Sequence, residues 1–68
     1  MRYRLKSFDE LAKMWPIGKA NSVEGPSGTF TLRMDEFSGL EFEHDFKKGG
    51  YGLPSGHVVS WWMCEELV

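Results

Sequence analysis

A single cysteine, Cys64, in a chain of 68 residues closes the commonest route by which so short a sequence stabilises itself, an internal disulfide. Small domains hide only about 60% of the surface their unfolded chains expose. They compensate with disulfides, a metal or unusually bulky side chains. Bulk is abundant here: ten of the 68 residues are Phe, Trp or Tyr, and each can bury roughly 150–250 Å². The expectation is one small domain, residues 1–68, with an aromatic core.

Alternation and capping signals set out the elements. Tyr3 and Leu5 face one way while Arg2, Arg4 and Lys6 face the other, as in a short half-buried strand. Ser7 and Glu10 then form a capping box, followed by an apolar stripe at Phe8, Leu11, Ala12 and Trp15. Pro16 disfavours helical geometry at Trp15, so the helix is limited to about two turns. The stretch PIGKANSVEGPSG, 16–28, has no apolar period and reads as a loop. TFTLRM, 29–34, alternates with Phe30, Leu32 and Met34 inward. LEFEHDF, 40–46, alternates with Leu40, Phe42, His44 and Phe46 on one face and Glu41, Glu43 and Asp45 on the other. KKGGYGLPSG is a turn-rich connection, HVVSWW the last strand, and MCEEL a closing helical or 3₁₀ turn. The fold class expected is mainly β (α+β): an SH3-like curled antiparallel sheet or barrel of about four strands, with the short N-terminal helix plugging an open end. A helix lying across a flat antiparallel sheet is the competing layout.

The stretch MDEFSGLEF, followed after a Gly-rich turn by VSWWMCEEL, resembles a pattern in small phage-encoded accessory proteins. In these, a helix start like KSFDEL precedes a curled SH3-like sheet ending in Trp-Met and two acids. The resemblance covers most of the chain outside residues 16–28; the long loop and the doubled tryptophan depart from it. It implies a fold and a phage or mobile-element setting, and it implies no chemistry.

Catalytic and ligand-binding constellations are sparse. His44, His57 and Cys64 lack the paired spacing that a zinc site needs, and Glu65 and Glu66 beside Cys64 oppose a reactive thiolate. His44 reads as a packed ring with one nitrogen on a backbone partner, His57 as solvated, and Cys64 as packed and inert. No Gly-rich segment matches a phosphate cradle. No cofactor, metal or catalytic residue is therefore assigned, and the chain reads as a non-enzyme. There is no apolar run of about 18 residues and no signal-like start, so no membrane partner is expected and the localisation expected is cytoplasmic.

Charge and aromatics bear on partners. Residues 1–19 carry five basic and two acidic groups, residues 20–46 one basic and six acidic, and the whole has a net charge of −2. An acidic balance ranks nucleic acid below protein as a partner. The row Glu41, Glu43 and Asp45, roughly 6.4–6.8 Å between successive members, reads first as the wet side of a strand and second as a face for a basic surface. In an extended VVSWWMC, Val59, Trp61 and Met63 form the more apolar face, which sends Trp61 inward and leaves Trp62 either as an exposed anchor or as a lid folded back over the barrel mouth. The leading expectation is a module that binds and modulates a host protein through Trp62, Tyr51, Glu41, Glu43 and Asp45. The alternatives are a small single-stranded nucleic-acid-binding barrel using Lys47, Lys48 and Tyr51, and a protein that self-associates through a free sheet edge. The residues leave monomer and homo-oligomer open.

Overall fold

The alternation at the start of the chain builds the central strand of the main sheet. In the computed structural model, which describes residues 1–68, β1 (Arg2–Leu5) lies between β4 (Glu41–Glu43) and β7 (Cys64–Leu67), both antiparallel to it. Tyr3 is in register with Phe42 and Glu66, and Leu5 with Cys64. Leu5 is fully buried beneath the sheet, whereas Arg2 and Arg4 lie on its outer face among carboxylates.

Helix α1 (Phe8–Ala12) begins where the capping box predicts. Ser7 Oγ accepts the Glu10 N–H at 3.2 Å, and the Glu10 carboxylate accepts the Ser7 N–H at 3.5 Å. A further acceptor comes from outside the helix: Asp35 Oδ1 takes the Phe8 N–H at 2.7 Å. Five helical residues are too few to persist alone in water. The helix docks through Leu11, fully buried, with Phe8, Ala12 and Trp15 packed around the core.

Residues 16–28, expected to be a loop, contain a small hairpin. The turn from Lys19 to Ser22 has Ala20 and Asn21 at φ 56° and 53°, and the Ser22 N–H returns to the Lys19 carbonyl. Positive φ at both central positions is the hairpin turn that matches strand twist. It brings Ile17 opposite Val23 and launches β2 (Val23–Glu24), which pairs with β3 (Thr29–Phe30). Val23 and Phe30 are both fully buried.

Three expected strands are cut short: LEFEHDF is a strand only at Glu41–Glu43 and turns at Phe46–Lys48, and the other two share one reason. TFTLRM remains extended only to Phe30 and then enters a 3₁₀ turn, so Leu32 is 56% exposed while Met34 is buried. HVVSWW is extended only at β6 (Val58–Val59), which pairs with β5 (Tyr51–Gly52), and turns at Trp61–Met63. At both places a hydroxyl residue is followed three positions later by a buried methionine. The carbonyls of Thr31 and Ser60 accept the N–H groups of Met34 and Met63 at 3.1 Å, and the methionine sulfurs accept the Thr31 and Ser60 N–H groups at 3.5 and 3.4 Å. Local bonds of this kind compete with a sheet ladder and change the side-chain period from two to three. The order expected at the end of the chain is thereby inverted: the 3₁₀ turn comes first, and CEEL is a strand.

The molecule is mainly β with one helix, arranged as a three-stranded sheet and two two-stranded pairs, without a closed barrel. Its core is less aromatic than the composition implies. Phe30, Phe42 and Trp62 are the aromatic members, beside Leu5, Leu11, Val23, Met34, Leu53, Val59, Met63 and Cys64. Six more aromatics form a half-buried shell, and Trp61 alone stands out in solvent.

Candidate functional site

The 3₁₀ turn at 61–63 decides which tryptophan meets solvent. Trp62 is 3% exposed and Trp61 58%. The expectation of an inward Trp61 and an exposed anchor at Trp62 is reversed, because an extended chain would have alternated through residues that in fact coil. Trp62 takes the folded-back placement. Its ring meets Trp15 edge-on at 5.6 Å, its Nε1–H donates to the Ser27 carbonyl at 2.6 Å, and Gly25 lies directly against its ring.

Trp61 forms one side of an open groove of about 170 Å³, shared with Ser27, Phe46, Gly49, Gly50 and Ser60. Its position is held from behind, since Ser60 Oγ also donates to the Ser27 carbonyl, at 3.2 Å. The two glycines give the groove a floor without side chains. Gly49 has φ +125°, and a Cβ at Gly50 would lie 2.2 Å from Val58 Cγ1 and 2.9 Å from the Val59 carbonyl. Gly50 is thus required by the close approach of β6.

Phe46 belongs to a second aromatic group. Tyr51 stacks on Phe42 with centroids 3.9 Å apart, and Tyr3 meets Phe46 edge-on at 4.9 Å. His44 lies against Phe46 and Tyr51, and its Nε2 is 2.8 Å from the Gly49 carbonyl, which makes that nitrogen the donor. The imidazole therefore braces the groove floor, in the packed placement expected for it. His57 is half-buried, its Nδ1 2.8 Å from Ser55 Oγ. Tyr51 is half-buried with one ring face covered by Phe42, so it is no free-standing anchor.

The carboxylate row has the expected outward alternation, with Glu41, Glu43 and Asp45 exposed. Its members differ in what holds them. Arg2 pairs with Glu41 at 2.7 Å, Asp45 Oδ1 caps the turn that follows by accepting the Lys47 N–H at 3.0 Å, and Glu43 has no ion pair. On the other side of β1, Arg4 bridges Glu10 at 2.9 Å and Glu65 at 3.2 Å. The Arg4 guanidinium holds the Glu10 carboxyl below the usual carboxylate range, assisted by the Ser7 hydrogen bonds, and the carboxylates raise Arg4 in turn. Lys47 and Lys48 are exposed and free of ion pairs, next to the groove residues Phe46 and Gly49.

Cys64 is buried, and burial pushes its thiol up to about 12, leaving almost no thiolate at neutral pH. No three His, Cys, Asp or Glu side chains converge as a metal site would require. No helix is long and apolar enough to cross a membrane.

Sequence reasoning placed the acidic row and the lysines correctly on the surface and missed the groove. Trp61 could have been found from the Ser60-x-x-Met63 spacing, which repeats Thr31-x-x-Met34. No protein-family model, curated protein or solved structure matches the chain.

Proposed function

We propose that this chain is a non-enzymatic protein-binding module, an SH3-like small β protein of a phage or mobile element that binds and modulates a host protein. The observation that carries the reading is Trp61, 58% exposed beside a glycine-floored groove and fixed from behind by Ser60 and Ser27. A large, rigid aromatic left in water costs solvation and returns its value only when a partner covers it, and such residues dominate binding hot spots. The phage setting rests on the resemblance of MDEFSGLEF and VSWWMCEEL.

The test is capture by immobilised protein from nuclease-treated lysate of the source or its host. A specific protein is retained by wild type and lost with folded Trp61→Ala, with a loss of about 2 kcal/mol or more, roughly thirtyfold in Kd. Equal retention by both proteins overturns the assignment of Trp61.

The unpaired Lys47 and Lys48 beside the groove favour one second reading, single-stranded nucleic acid with a base against Trp61 and phosphates on the lysines. Stacking of that kind contributes about 1–3 kcal/mol per base. That affinity would fall steeply with salt, and a flat response removes it.

A further inference from the structure

Strand β4 has a free edge, and the hydrogen-bond phase identifies which groups lie along it. The Leu5 N–H donates to the Leu40 carbonyl and the His44 N–H to the Met1 carbonyl, both at 2.9 Å. In an antiparallel ladder alternate residues face the partner strand, so the Leu40 carbonyl and the backbone groups of Phe42 and His44 point at β1. Glu41 and Glu43 point theirs away. β4 pairs with β1 alone, and no other backbone bond engages Glu41 or Glu43. Two N–H and two C=O groups thus stand in one row on exposed residues.

The other sheet edge offers less. On β7 the Cys64 N–H is taken by the Trp61 carbonyl and the Glu65 carboxylate by Arg4, so Glu66 is the one residue with both backbone groups turned outward and an unpaired side chain.

We propose that the β4 edge receives an extended segment of the partner protein bearing two basic residues separated by one apolar residue. The inference rests on the protein-binding reading but uses a surface independent of Trp61. Added strands are held by main-chain bonds and selected by alternate side chains. The incoming residues opposite Glu41 and Glu43 lie on the outer face of the sheet. Glu43 has no ion pair, because Arg2, its register neighbour, reaches Glu41 instead. The residue between them lies on the face of Phe42, whose ring stacks on Tyr51, and is therefore apolar. A second copy of β4 fits poorly, since antiparallel self-pairing sets glutamates opposite glutamates, and like charges directly opposed are destabilising.

The experiment titrates the ¹⁵N-labelled full chain with a blocked peptide of sequence Val-Lys-Val-Lys-Val-Lys-Val and follows amide exchange. Exchange at Glu41 and Glu43 slows by about tenfold or more on saturation, as pairing protects an exposed edge amide. The protection persists in Trp61→Ala, falls with Glu43→Lys, and is absent for the peptide with Glu in place of Lys. Unchanged exchange at Glu41 and Glu43 with the peptide at saturation overturns the proposal, as does equal binding of the Glu peptide. Perturbation confined to Trp61 and its groove also overturns the edge assignment while leaving the Trp61 reading standing. Edge protection together with lysate capture that ignores Trp61→Ala has the opposite meaning, retaining the edge and removing the groove.

Discussion

Trp61 and Trp62 are joined by one peptide bond and belong to two different regions of the molecule. The side that holds Trp62 is crowded: Trp15 from the turn after α1, Gly25 from the loop after β2 and the Ser27 carbonyl all touch it. The side that holds Trp61 is open, with a glycine floor and half-buried Phe46 across the groove. The same residue type is a structural member in one setting and an unsatisfied surface in the other. Burial here follows the local turn, not the side chain's hydrophobicity.

The sharpest test of that contrast is Trp62→Ala. Removing a large buried aromatic costs about 3–5 kcal/mol through lost transfer energy and the residual cavity. In a small domain that approaches the whole stability, so urea unfolding of this variant should show little or no native baseline. Gly25→Ala is the next largest. An added Cβ would lie 2.5 Å from the Trp62 ring, and that ring is pinned by its own hydrogen bond. Forced displacement of this kind costs about 1–3 kcal/mol, visible as a lower urea midpoint with an unchanged slope. A normal midpoint would mean that the Trp62 side yields easily and is less crowded than its contacts imply.

Much of the first half of the molecule was legible because its signals are local and agree. The Ser7–Glu10 box, the Phe8 to Trp15 stripe and the β1 alternation each point to one structure, and the outward row Glu41, Glu43 and Asp45 follows from the same logic. Three features were not legible. Ala20-Asn21 adopts a turn usually announced by Asn-Gly, so the hairpin that places Val23 in the core had no recognisable punctuation. The two hydroxyl-x-x-Met turns replace strand alternation by a shorter period, and residues such as Trp61 and Leu32 then change sides. The groove depends on Gly50 approaching β6, a tertiary contact that leaves no periodic trace.

The cap of α1 provides a smaller perturbation of the Trp62 side, because Trp15, three residues past that helix and tied to it by its N–H bond to the Leu11 carbonyl, meets Trp62. Ser7→Ala should cost about 1 kcal/mol. Acid acts on the same cluster. The Glu10 carboxyl is held below its ordinary range in the folded protein, chiefly by its hydrogen bonds with Arg4, so its contribution is full above the unfolded value of about 4.3. That contribution is lost as pH falls through the lower folded value. Acid titration followed by far-UV circular dichroism should show helix loss in this window, and Glu10→Gln should flatten it. A Glu10→Gln profile identical to wild type would show that the cluster does not anchor the helix.

The smallest effect on stability, and the one that most directly separates the two regions, belongs to Trp61→Ala. The residue is 58% exposed, its neighbours Gly49 and Gly50 offer no side chains to pack against it, and its truncation opens no internal cavity. Surface changes of this kind fall within about 0.5 kcal/mol of wild type, so the urea midpoint should barely move while partner binding is lost. A midpoint loss comparable with that of Gly25→Ala would break the comparison, because Trp61 would then be supporting the turn that buries Trp62. Trp61→Phe separates the possibilities further. Phenylalanine restores a ring on that side of the groove, so a packing role is recovered, whereas a contact that needs the indole N–H or its full width is not.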